Sequence, residues 1–131
     1  MKKLTSVVVV MLITAFLTSS ADAKRKAPKK VAPVTRNGVT YTAPHFASEI
    51  DDPKCKQNGG WVVAKDAKSG KVFWKKEIYA VKRDPALEGD VQDCFITKLS
   101  FEKGKLIVTN ERGHRYELDP DTRAVRLLKG T

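Results

Sequence analysis

Two hydrophobic patterns divide the chain. Val7 to Leu17 is a continuous apolar run broken only by Thr14, whereas apolar residues from Val39 onward come in short alternating groups separated by turn residues. The first pattern has Lys2 and Lys3 ahead of it and the small-x-small triplet Ala21-Asp22-Ala23 behind it, the form of a cleavable export signal over residues 1–23. The run is too short for an anchor, because about 20 apolar residues are needed to cross a bilayer as a helix. No cysteine lies near the expected cut, so no lipid anchor is expected. The mature chain is expected to begin near Lys24, in the periplasm or outside the cell.

The second pattern has the period of strands. Val39 and Tyr41 alternate with Thr40 and Thr42 as a short first strand, after the punctuation of Asn37-Gly38. Ala43 to Gly60 is turn-rich, with Pro44, Asp51-Asp52-Pro53 and Asn58-Gly59-Gly60, and is expected to make a surface excursion. Trp61 to Lys65 and Val72 to Lys82 are rich in aromatic and β-branched residues and flank a hairpin loop in which Gly70 takes the positive-φ position. Arg83 to Asp90 reads as a connection, Val91 to Phe101 as a strand, and Lys103-Gly104 as a turn into Leu106 to Thr109. Arg115 to Leu118 and Ala124 to Leu128 form a last hairpin across Asp119-Pro120-Asp121-Thr122. No helical period persists beyond the export signal. The expected fold is all-β over residues 37–131: a small antiparallel sheet, as a blade-like meander, a sandwich or a partly open barrel.

The aromatics Trp61, Phe73, Trp74, Tyr79, Phe95 and Phe101 all fall in expected strands. Neighbours such as Phe73-Trp74 and Ile78-Tyr79 point to opposite faces, so either two layers pack or one face is a contact surface. Core positions are the expectation for them.

Charge adds a second division. The net charge of +10 is concentrated in residues 24–36, which carry Lys24, Arg25, Lys26, Lys29, Lys30 and Arg36 and no acid. From residue 37 on, basic and acidic residues nearly balance, 17 against 14. Pro28 and Pro33 oppose helix and little is there to bury, so 24–36 reads as a disordered basic leader. Lys24, Arg25, Lys26, Lys29 and Lys30 could hold a polyanion electrostatically, with weak, salt-sensitive affinity. Too few aromatics lie nearby for a stacking surface, and specific nucleic-acid binding is not expected.

Two cysteines, Cys55 and Cys94, remain in the mature chain. In an oxidising compartment an even number favours one disulfide, closing a loop of roughly 40 residues that would contribute about 4 kcal/mol by restricting the unfolded chain. Two buried free thiols, or one nucleophilic thiol, are the competing readings.

Ala64-Lys65-Asp66-Ala67-Lys68-Ser69-Gly70-Lys71-Val72-Phe73-Trp74 resembles the repeat of quinoprotein-type β-propellers, Ala-x-Asp-x-x-Thr-Gly-Lys-x-x-Trp, matching at Asp66, Gly70, Lys71 and Trp74 with Ser69 for Thr. The resemblance implies a strand–turn–strand corner: Asp66 caps the turn amides, Gly70 frees the backbone and Trp74 packs the corner. A weaker copy follows 53 residues later, with Asp119 on Asp66, Thr122 on Ser69 and Val125 on Val72. There Arg123 replaces Gly70 and Leu127 replaces Trp74, so a different turn is expected. A propeller ring needs at least four blades, so the resemblance implies a blade-like sheet and no quinone site. Residues 87–97 and 104–111 also resemble small exported bacterial proteins of unknown role.

Catalytic patterns are sparse. His45 and His114 stand outside any ligand-spacing motif, and Asp84, Glu88, Asp90 and Asp93 lack the register of a calcium loop. No nucleophile elbow, phosphate loop or dinucleotide fingerprint is present. The expectation is a monomeric, non-catalytic, cofactor-free binding module for an envelope protein or polymer. A small inhibitor of an envelope or secreted enzyme, inserting Ala43 to Gly60 into a cleft, is the alternative. A hydrolase using His114 with carboxylates from 84–93 is the third.

Overall fold

The structure, a computed structural model, describes residues 28–82, 86 and 93–128. The export signal, Lys24, Arg25 and Lys26, and the acids Asp84, Glu88 and Asp90 lie outside the described residues.

The fold is all-β, two four-stranded antiparallel meanders in sequence. Strands β1 (Val34–Arg36), β2 (Val39–Thr42), β3 (Trp61–Asp66) and β4 (Val72–Glu77) form one sheet in that order. Strands β5 (Ile96–Glu102), β6 (Lys105–Asn110), β7 (Arg115–Leu118) and β8 (Val125–Leu127) form the other, also in chain order. The sheets do not close into a barrel. They share one core, in which Tyr41, Val62 and Ala64 meet Ile96, Leu99, Leu106, Val108 and Leu118.

Strand β1 lies inside the stretch read as leader. Asn37 (φ 52°) and Gly38 (φ 76°) make the left-handed two-residue turn whose twist suits a hairpin, so the pair joins two strands and does not merely end a linker. Val31 and Val34 pack on the shared core, so the apolar residues of this basic segment are used. Lys29 and Lys30 stay exposed. The β5–β6 hairpin repeats the device with Lys103 (φ 51°) and Gly104 (φ 79°).

Strand β3 is buried on both faces, which explains its unbroken apolar run. Val62 and Ala64 face the second sheet, whereas Trp61 and Val63 are covered by the excursion between β2 and β3 through Ile50 and Cys55. That excursion is folded down rather than protruding. It contains one helical turn, α1 (Ala47–Ile50), whose first amide donates to Asn58 Oδ1 at 3.0 Å. Lys75 Nζ of β4 donates to the Asp51 carbonyl at 2.8 Å and ties the excursion to the sheet.

The chain crosses between sheets beside Gln57. Its Nε2 donates to the carbonyls of Gly59 and Tyr79, both at 2.9 Å, and its Oε1 accepts from Val81 N–H at 2.9 Å. Gly59 and Gly60 (both φ 82°) leave no room for a side chain: a Cβ would sit 2.8 Å from the Cys94 and Tyr79 carbonyl oxygens respectively. Tyr79 stacks on Tyr116 at 5.1 Å and donates to the Cys94 carbonyl at 2.6 Å. Burial holds the Tyr79 phenol far above its ordinary range.

The Cys55–Cys94 disulfide expected from cysteine count is not formed, and both are free thiols. Cys55 Sγ donates to the Gln57 carbonyl at 3.3 Å within its own loop, and buried Cys94 lies just before β5. The two loops are joined instead by the Gln57 hydrogen bonds and by Asn58 Nδ2, which donates to Asp93 Oδ2 at 3.3 Å.

Candidate functional site

In each meander the first and third turns lie at one end, and these ends of the two sheets coincide. There the sheets part to leave a cleft of about 600 Å³, reached from Asn37, Gly104 and Pro120 of three turns and from the start of β4. Its aromatic floor is Tyr41 between Trp74, at 6.0 Å centroid distance, and Phe101, at 5.3 Å edge-on. Tyr41 is buried, which pushes its phenol above the ordinary value, as does Asp121; Arg36 opposes the shift.

Phe73 forms the rim. Ala64 pairs with Trp74 and Lys65 with Val72, so Phe73 is the extra residue of a β-bulge. The bulge releases Phe73 from the alternation that puts Trp74 toward the second sheet, and its ring is 52% exposed. The expectation of a core position for Phe73 is corrected accordingly.

Two arginines reach from one sheet to the other in opposite senses. Arg36, the last residue of β1, lies over the Phe101 ring of the other sheet at 5.1 Å. Arg123, in the β7–β8 turn, lies over the Trp74 ring of the first sheet at 5.7 Å. Among the described residues neither guanidinium pairs with a carboxylate, although Arg115 and Arg126 find Glu102 and Glu117 at 2.9 and 3.1 Å.

Arg123 holds its place through a turn that matches the Asp66 turn in its backbone hydrogen bonds. Asp66 N–H donates to Lys71 O at 2.8 Å, and Asp119 N–H to Ala124 O at 3.0 Å. Gly70 N–H donates to Asp66 O at 2.9 Å, and Arg123 N–H to Asp119 O at 2.7 Å. The carboxylates of Asp66 and Asp119 accept from the turn amides of Lys68 and Asp121. The expected difference between the copies is therefore overturned: Arg123 adopts φ 64° where Gly70 has 77°, and the turn is retained. Asp119 gains a partner that Asp66 lacks, Lys105 Nζ at 2.7 Å, which with the turn amides lowers its carboxyl to about 2. The Ser69 hydroxyl and the Lys68 amide lower Asp66 as well.

Of the residues singled out by sequence, the structure brings Trp74 into the cleft and places Asp66 and Gly70 in the adjoining turn. It leaves the histidines apart. His45 is buried against Phe95 at 4.9 Å, and His114 lies exposed in the β6–β7 turn with its amide donating to Asn110 Oδ1. Among the described residues no three His, Cys, Asp or Glu side chains gather where they could hold a metal, and no helix is long and apolar enough to cross a membrane. Arg36, Tyr41, Phe101 and Arg123 were missed as a group. The signals for them were Asn37-Gly38 as a hairpin turn and Arg123 standing on Gly70 in the internal copy.

Compared with known protein families and with curated proteins, the chain matches no family model and no individual sequence significantly.

Proposed function

We propose that the mature chain is an exported, non-catalytic binding module that takes a polymer of the cell envelope into the cleft between its two sheets. The observation that carries this reading is the cleft itself: an exposed ring at the rim, an aromatic floor, and beside its rings two guanidiniums without a carboxylate partner among the described residues. An exposed ring on a bulge and unpaired cations over aromatic faces add little to the stability of a small domain. They suit recognition by stacking and hydrogen bonding. The inhibitor alternative has less support, because its loop, Ala43 to Gly60, is tied down by Lys75, Gln57 and the contacts of Ile50.

Co-sedimentation of the mature protein with washed, insoluble envelope polymer tests the reading. Wild type pellets with the polymer, and Phe73→Ala, a change at an exposed side chain, stays in the supernatant. A wild type that remains soluble, or a Phe73→Ala variant that pellets equally, rejects it.

A further inference from the structure

The reciprocal arrangement of Arg36 and Arg123 says more about the ligand than the cleft alone. Each sheet lends one arginine to an aromatic ring of the other, and Tyr41 touches both rings. A guanidinium held over a ring still has N–H groups to donate, and its planar fork matches a carboxylate in two parallel hydrogen bonds. Arg123 does this from a left-handed backbone conformation that glycine occupies at the equivalent position of the first sheet. Arg123 is not itself in the cleft lining but lies over Trp74, which is, so a left-handed residue is kept next to the cleft.

Other groups restrict the choice of anion. Asp121 lines the same cleft. Its carboxylate disfavours a ligand made of charge alone, such as a polyphosphate, but accepts hydrogen bonds from hydroxyls. Asn37, which also lines the cleft, both donates and accepts. Phe73 offers an open aromatic face for a flat C–H surface. Resting on the reading of the cleft as a binding site, the geometry points to a carboxylate-bearing polysaccharide as the ligand. A sugar ring packs on Phe73, its hydroxyls meet Asp121 and Asn37, and carboxylates along the polymer engage Arg36 and Arg123. The excess of basic over acidic residues in the mature chain attracts such a polymer from a distance without selecting it.

The test is a titration of the mature protein with oligogalacturonate at near-physiological salt. It runs in parallel with the same oligosaccharide after reduction of its carboxyls to alcohols, and with dextran sulfate as a charge-only probe. The variant is Arg36→Gln combined with Arg123→Gly, both at exposed side chains; the glycine relaxes the left-handed position, and a urea midpoint checks the fold. The expected result is binding of the acidic oligosaccharide, weakened about tenfold or more by carboxyl reduction or by the double substitution, as loss of bidentate pairs implies. Equal binding of the reduced oligosaccharide, sensitive to Phe73→Ala, overturns carboxylate recognition and leaves the cleft reading standing. Equal or tighter binding of dextran sulfate, indifferent to the double substitution, overturns the inference in favour of charge contacts through the leader. No binding of any of the three, with Phe73-dependent pelleting on envelope polymer intact, overturns the ligand class alone. Loss of that pelleting too rejects both readings.

Discussion

The two ends of the molecule are built on opposite plans. At the crossover end, Gly59 and Gly60 leave no room for a Cβ, and hydrogen bonds tie Gln57 to Gly59 and Tyr79 and Tyr79 to Cys94. At the turn end, a Cβ added to Gly38, Gly70 or Gly104 meets nothing within 4 Å, and the sheets part around a cleft. One end holds the sheets together, so the other is free to present an exposed phenylalanine and two arginines that pair with no carboxylate among the described residues. Packing at the first makes recognition at the second affordable in a domain with a small core.

Substitutions at equivalent chemistry but opposite ends should break this contrast most visibly. Gly59→Ala must accommodate both a left-handed backbone and a Cβ pressed against a carbonyl oxygen, a loss of about 3 kcal/mol or more. Gly38→Ala and Gly70→Ala carry the backbone cost alone, about 1 kcal/mol each. Urea unfolding of the three variants measures the gap, and similar midpoints would erase the distinction between the ends. Gln57→Ala comes next, with a loss of about 3 kcal/mol, because it strands two carbonyls and one amide that the side chain now satisfies. Gln57→Glu restores the bulk without rescuing the fold, since a carboxylate oxygen would face two carbonyl oxygens.

Smaller effects sharpen the comparison of the two Asp turns. Arg123→Gly should raise stability by up to about 1 kcal/mol by relaxing the left-handed residue, partly offset by the lost contact with Trp74. A stabilising change that weakens ligand binding would separate the role of Arg123 from folding. The smallest effect is electrostatic. The Asp119 carboxyl lies at about 2 against an ordinary 3.8, so its ionised form is favoured by folding. That contribution is complete above the ordinary value and disappears as pH falls through about 2. Asp119→Asn removes it, so the urea midpoints of wild type and variant should converge as pH drops through this window.

Strands with long alternating runs and well-marked turns were legible in the sequence, and so was the Asp66 turn down to the role of Gly70. β1 was not, because three residues after a proline carry little periodic signal and their pairing depends on the turn that follows. β4 ends at Glu77 rather than continuing to Lys82, since Tyr79 and Val81 leave the ladder to meet Gln57. The cleft was the least legible part. Arg36, Tyr41, Trp74, Phe101 and Arg123 come from four strands and a turn, and only sheet register and the packing of one sheet on the other bring them together. The cysteines misled for a related reason: their count says nothing about whether their loops present sulfur to sulfur.

The two tryptophans report on different regions, Trp74 beside the cleft and Trp61 buried beneath the excursion on the other face of β3. Indole N–H resonances followed by NMR during titration with solubilised envelope polysaccharide therefore give the most direct measurement. The account predicts that the Trp74 signal shifts with saturation while that of Trp61 stays in place. Movement of Trp61 alone, or no movement of either signal in a titration where binding is otherwise detected, would contradict it.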